Sequence, residues 1–425
     1  MKGMLSWGKV GTIAVVLVLA LMAGNVAAVA APGDLATRGD FAALLAEKAG
    51  IPAGEVSALP ADVSADASYA GALAGLVKAG VMAGYPDGTM RPDAPVTGVQ
   101  AAVMAGRALG LPSNLNVQGA GLTILPDGHW AYEQVAWMSE YGLIGEENLT
   151  EPLTLVAAGD FLNRVFGADQ KAKDIVLKSM EAQKNIKAFS LEGTMTMNIV
   201  PRPGVSQEVA QSLQGMTSAV KMDFVRPDRM RQVITMNVPV LGDMAIEQYL
   251  IDSKMYQKLV NPETGEVMWQ YMNLPFDFEK LMELQTPGIQ EPMLEKFNYK
   301  YLGTTTLNGR EVHKIGYYGR INDLTELGQM MSQAVGDDAA VGQLMAQTAE
   351  LIKSMSLWGI SYVGVADSLT YGDKTGALIG YADAMPIATT EMAMEISKYS
   401  YDPNITVDLP EEAKNAVEIQ LPPMN

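Results

Sequence analysis

Gly84-Tyr85-Pro86-Asp87-Gly88-Thr89-Met90-Arg91-Pro92 is the stretch from which the first third of the chain is read. Pro86 presets its own φ and Gly88 supplies a positive one, so Pro86-Asp87-Gly88 is a tight turn. Before it, Tyr69, Leu73 and Leu76 share one helical face, and Gly80 closes that helix at a left-handed cap. After it, Val96-Thr97-Gly98-Val99-Gln100 opens a new helix with a capping box, in which Thr97 accepts from the N3 amide and Gln100 reaches back. Working outward, the pattern recurs. Thr37-Arg38-Gly39-Asp40-Phe41 begins one helix, with Phe41, Leu44 and Leu45 on a face. Thr97 begins a second, with Val103, Met104 and Leu109. Ala157-Ala158-Gly159-Asp160-Phe161 reads as a third, with Leu162, Val165 and Phe166. The starts at 37, 97 and 157 give a pitch of 60 residues, the mark of a repeat architecture. Pro126-Asp127-Gly128-His129-Trp130-Ala131-Tyr132, Val135, Met138 and Tyr141-Gly142 form a second copy of the middle block.

These residues resemble the S-layer homology domain. Gly84–Pro92 with Val96-Thr97 is similar to that family's central signature, Thr37-Arg38-Gly39-Asp40 to its Thr-Arg-Ala-Glu motif, and His129-Trp130-Ala131-Tyr132 to its Trp-Ala segment. The resemblance covers residues 35–167, about two and a half repeats. It implies a three-pronged helical module holding a bacterial surface protein to a secondary polysaccharide of the cell wall. It also implies that the arginine contacts an acidic sugar, as a guanidinium fork suits a carboxylate. The expected polysaccharide-binding residues are Thr37, Arg38, Asp40, Tyr85, Asp87 and Arg91. Only Arg38 fills the arginine position; Gly98 and Ala158 stand there in the other repeats, and Glu146-Glu147-Asn148 replaces the third turn block. Arg38 therefore has two readings, wall contact or solvated first-turn residue, and Tyr85 either stacks on a sugar ring or packs on its own turn.

Beyond a helix at 168–187, the period changes to two. Leu191, Gly193, Met195, Met197 and Ile199 alternate with Glu192, Thr194, Thr196 and Asn198. Further alternating runs lie at 218–225, 229–238, 245–260, 266–273, 297–306, 310–318, 357–371, 376–384 and 389–399. Turns are expected at Asn261-Pro262-Glu263-Thr264-Gly265, Asn308-Gly309 and Asp373-Lys374-Thr375-Gly376, and a helix at 322–356. Some ten strands of this kind call for an antiparallel sheet with one buried and one wet face.

Residues 168–425 resemble the LolA-like lipoprotein-carrier superfamily, in particular its Gram-positive members of unknown function. The resemblance rests on Ser190-Leu191-Glu192-Gly193-Thr194-Met195, on Val225-Arg226-Pro227-Asp228-Arg229, and on the ending Tyr401-Asp402-Pro403-Asn404, Val407, Leu409-Pro410-Glu411-Glu412-Ala413. It implies an open half-barrel whose apolar face, covered by helices, holds acyl chains. The sequence offers Met195, Met197, Met392 and Met394 for that face. Residues two apart share a side of a strand, and methionine adapts to varied apolar ligands. The competing reading is plain core beneath the helices at 168–187 and 322–356. The fold expected is α+β and multidomain: an all-α repeat module at 31–167, then a curved antiparallel β half-barrel at 168–425.

Composition narrows the function. The 425 residues, 48% hydrophobic and 18% charged, are those of a folded chain of two or three domains. With 48 acidic against 30 basic residues, the net charge of −18 argues against a nucleic-acid partner. Cysteine is absent and only His129 and His313 are present, which leaves no thiolate or multi-histidine metal site and no expected cofactor. His129 is expected to cap or pack beside Trp130, and His313 to be an exposed cross-strand partner. The acid pairs Asp337-Asp338 and Glu411-Glu412 read as solvated faces, and no nucleophile elbow or phosphate loop occurs, so no enzyme is expected. Lys2 and Lys9, the apolar run Val10–Met22 and Ala28-Val29-Ala30 read as a signal peptide over residues 1–30. An uncleaved anchor over Val10–Ala31 is the alternative; no later segment is apolar enough to span a membrane. Two functions follow. One is an exported surface protein bound non-covalently to wall polysaccharide; the other is an extracytoplasmic carrier or sensor of lipid or other apolar ligand, with a degenerate repeat scaffold.

Overall fold

The computed structural model describes residues 34–112, 125–126, 128–144, 149–204, 215–238, 242–260, 264–274, 294–322 and 350–419. The expected signal peptide, Glu146-Glu147-Asn148, Asp337-Asp338 and most of the expected helix at 322–356 lie outside these residues. Among the described residues five α-helices come first: α1 (Arg38–Lys48), α2 (Ala70–Lys78), α3 (Gly98–Ala108), α4 (Tyr132–Glu140) and α5 (Leu155–Phe166). Thr37 and Thr97 form complete capping boxes with Asp40 and Gln100. The third repeat departs from the expected register. Its helix starts at Leu155, capped by Thr154, whose Oγ1 accepts from the Ala157 amide at 3.1 Å. The starts are thus 37, 97 and 154, and Leu155, not Ala158, takes the place of Arg38. Residues three apart share a helical face, so a one-turn slip leaves the apolar pattern intact.

The segments before the three helices bond in a closed ring. Ala36 N donates to Leu153 O at 2.8 Å, Leu153 N to Val96 O at 2.8 Å, and Val96 N to Ala36 O at 2.9 Å. This ring gathers the helix starts around one point, and Phe41, Leu45, Leu73, Leu76, Met138 and Leu162 fill the space between with no solvent exposure.

After α6 (Gln170–Lys184) come β1 (Ala188–Pro201), β2 (Met216–Val225), β3 (Arg229–Val238), β4 (Gly242–Ile251), β5 (Lys254–Val260) and β6 (Val267–Asn273). They are followed by β7 (Asn298–Leu307), β8 (Arg310–Ile321), β9 (Ile352–Gly364), β10 (Thr370–Tyr381), β11 (Ile387–Ser400) and β12 (Val417–Glu418). They form one open sheet in the order β12-β6-β5-β4-β3-β2-β1-β11-β10-β9-β8-β7. Every pairing is antiparallel except that of β12 with β6. Four expectations shift. The run 245–260 is two strands, broken at Asp252-Ser253, which take φ of 50° and 58°. The run 357–371 contains the end of β9, a turn and the start of β10; Ser368 has φ 59° and Asp367 Oδ1 accepts from Leu369 N at 3.1 Å. Asp373–Gly376 is therefore not a turn but the middle of β10. Asp373 is bonded there by Thr375 and Tyr317, and a Cβ on Gly376 would lie 2.3 Å from the Trp358 ring. Finally, β9 begins at Ile352, so residues 352–356 are strand rather than helix, with Met355 opposite Ile379. Asn308-Gly309 does make the β7–β8 turn, at φ 50° and 79°.

The sheet has two unlike faces. On one, Ala172, Ile175 and Val176 of α6 pack against Phe297, Tyr299, Ile315, Ile321 and Val363. On the other sits the helical module, whose core continues into Tyr318 and Ile360 of the sheet. Trp137 stacks on Tyr141 at 4.1 Å and meets Tyr318 edge-on at 5.4 Å, while the Tyr318 hydroxyl donates to Val165 O at 2.5 Å. Arg226 Nε donates to Ile186 O and Arg229 Nη1 to Val407 O, so the Val225–Arg229 segment ties together the chain entering and leaving the sheet.

Candidate functional site

The Gly84–Pro92 loop is folded around Asp62, whose carboxylate accepts from Met90 N at 3.0 Å and Arg91 N at 2.7 Å. Those two amide bonds hold the Asp62 carboxyl below its ordinary range. At the loop tip, Asp87 accepts from Thr89 Oγ1 at 2.6 Å and pairs with Arg91 at 2.6 Å, and Thr89 then Arg91 push its carboxyl well down. The fixed loop presents two carbonyls to Arg38. Its Nε donates to Met90 O at 2.9 Å and its Nη2 to Ala83 O at 3.2 Å, with the side chain buried. Tyr85 lies against both guanidinium groups, 4.1 Å from Arg91 and 5.0 Å from Arg38, measured to the ring centroid.

Between this loop and α3 lies a groove of about 150 Å³, lined by Arg38, Tyr85, Gln100, Arg107 and Trp130. Of the six residues expected to bind polysaccharide, Arg38 and Tyr85 line it. Thr37 and Asp40 are used in the α1 cap, and Asp87 with Arg91 secures the turn. Gln100, Arg107 and Trp130 were not expected. Trp130 stands in the matched His129-Trp130-Ala131 segment, and at 64% exposure it offers its indole to solvent. His129 Nδ1 accepts from Ala131 N at 3.2 Å beside it. The groove thus joins a buried cation, an exposed cation and two aromatic rings from successive repeats, a set suited to a sugar bearing a carboxylate.

Residues 61–102 match the S-layer homology domain. Residues 171–305 match a family of unknown function, DUF6612. The first match contains the whole turn motif and the Thr97 cap; the second spans β1 to β6 and most of β7. No curated protein matches the chain. Among solved structures, LprF from Mycobacterium bovis is 12% identical over 57% of this chain and 98% of its own, with a TM-score of 0.31. The Mycobacterium tuberculosis lipoprotein LppX is 13% identical over 57% and 100%, with a TM-score of 0.30. A LolA superfamily protein from Nitrosomonas europaea is 7% identical over 57% and 96%, with a TM-score of 0.20.

The position equivalent to Arg38 in the second repeat, Gly98, is closed. A Cβ on Gly98 would sit 2.8 Å from the Leu149 Cα, so backbone fills the space a second groove needs. On the α6 face of the sheet, the four expected methionines do come together: Met195 is opposite Met394 and Met197 opposite Met392. They are partly open, Met394 by 38%. His313 differs from expectation. It is half-buried, edge-on to Tyr301 at 5.7 Å, and burial with Lys171 nearby pushes its pKa down. Among the described residues, no group of three or more potential ligands could hold a metal ion, and no helix is long and apolar enough to cross a membrane.

Proposed function

We propose that this is an exported bacterial surface protein, held non-covalently to an acidic wall polysaccharide through the Arg38 groove and displaying a sheet domain that takes an apolar ligand. The observation that carries it is the groove itself. Arg38 and Arg107 supply cations and Tyr85 and Trp130 supply rings, around the Gly84–Pro92 turn that lies within the 61–102 match to the S-layer homology domain. A guanidinium pairs with a sugar carboxylate, and a ring packs against the apolar side of a pyranose. With −18 overall, attraction to an anionic polymer is confined to this local pair of arginines, so binding weakens as salt rises. The reading takes residues 1–30 as an export signal, 31–167 as the wall-binding unit and 168–425 as the displayed domain, with no catalytic role. The test is co-sedimentation of the full-length protein with purified walls, with and without their secondary polysaccharide. Binding that does not depend on the polysaccharide ends this proposal.

A second reading, a carrier whose repeats are only scaffold, is favoured by the shared core at Tyr318 and by the closure of the site at Gly98. An organic extract of the pure protein that repeatedly contains lipid supports it; a clean extract counts against it.

A further inference from the structure

A row of glutamines crosses the α6 face of the sheet. Gln232 of β3 is opposite Gln248 of β4, Gln248 opposite Gln257 of β5, and Gln257 opposite Gln270 of β6. Apolar rows flank it. Met230, Leu250, Met255 and Met272 run along one side, and Ile234, Ile246, Leu259 and Met268 along the other. From β2 to β6 no Asp, Glu, Lys or Arg among the described residues stands on this face. The opposite face carries the charges, with Arg231, Glu247 and Lys258 paired across three strands. The four glutamines are half-buried, and no hydrogen bond among the described residues engages their amides.

Each amide is a double donor and an acceptor, and leaving such a group unpaired under hydrocarbon is unfavourable. A pure hydrocarbon is therefore a poor occupant of this face. An ionised head group is a poor one too, because nothing here offers it a counter-charge. Four strands spaced ~4.8 Å apart make the polar row roughly 14 Å long, with apolar rows ~7 Å to either side. That is room for several ester, amide or hydroxyl groups rather than a single carboxyl. We propose that this face binds an uncharged amphiphile, its polar linkage lying on Gln232, Gln248, Gln257 and Gln270 and its hydrocarbon on the methionine-rich rows beside them. This rests on the reading of the sheet as an apolar-ligand domain and names its ligand class.

Equilibrium binding of radiolabelled 1-palmitoylglycerol, palmitate and hexadecane to the full-length protein tests it. The neutral ester is expected to bind about tenfold more tightly than palmitate, the effect of one or two hydrogen bonds. The triple variant Gln232→Leu/Gln248→Leu/Gln257→Leu should lose that preference while hexadecane binding holds or rises. If the triple variant does not fold, Gln248→Met carries the same comparison with a smaller change. Palmitate binding as tightly as the ester, or an ester preference that survives the substitutions, overturns the glutamine assignment while leaving the apolar-ligand reading intact. Failure of all three probes to bind overturns both.

Discussion

Arg38 and Gly98 occupy the same place in two successive repeats, one residue after a capping threonine and beside the same backbone ring. At Arg38 the neighbouring loop stands off and gives two carbonyls to a guanidinium; at Gly98 the backbone at Leu149 closes in. The two repeats thus share a cap and a ring, and how closely the neighbouring backbone approaches decides whether a groove exists. The hardest way to break this comparison is to write the first repeat into the second. Gly98→Arg forces a Cβ and a long side chain into space that Leu149 fills, and should lower stability by about 3–5 kcal/mol in urea unfolding followed by circular dichroism. An unchanged midpoint would mean that the second groove opens readily and that its closure has no structural cause.

The next effect is at Arg38. Arg38→Ala leaves Met90 O and Ala83 O without their buried donor, and should cost about 2–3 kcal/mol as well as wall binding. Arg38→Lys keeps the charge but not the two-pronged reach, so it should recover only part of either. Trp130→Ala separates structure from recognition. The ring is exposed, so stability should move by no more than about 0.5 kcal/mol, while wall affinity falls about tenfold. Wall binding that is indifferent to Trp130 removes the groove from consideration, whatever Arg38→Ala does.

The parts legible in the sequence were those written in one local pattern. Thr37 and Thr97 announced their helices because a capping box needs only four residues, and β1 announced itself through Leu191 to Ile199. The third repeat was misplaced because Phe41 and Phe161 suggested an alignment that the face pattern could not correct. Asp373-Lys374-Thr375-Gly376 carried the composition of a turn, but Tyr317 and Trp358, distant in sequence, make an aspartate and a glycine fit mid-strand. The groove suffered the same limit. Arg107 ends one helix and Trp130 precedes another, and only packing brings them to Arg38. The glutamine row was invisible because it exists only once the register of four strands is known.

Acid provides the finest test of the Arg38 groove, because the loop and its expected ligand titrate apart. Asp87 is bonded to Thr89 and Arg91, so its folded pKa lies well below the unfolded carboxylate value of about 3.9. A depressed carboxylate contributes stability that is present above the unfolded pKa and lost only as pH falls through the lower, folded one. The Tyr85 turn should therefore persist through pH 4, with the aromatic signals of Tyr85 unchanged in a proton NMR titration. A sugar carboxylate free of such partners protonates near the ordinary value, and its attraction to Arg38 and Arg107 goes with it. Wall binding should then fall off around pH 4 while the turn is still intact. If binding and the Tyr85 signals are lost together, the loop and not the polymer is titrating. If binding is flat to well below pH 4, the groove is reading neutral sugar through Tyr85 and Trp130, and the two arginines serve the fold.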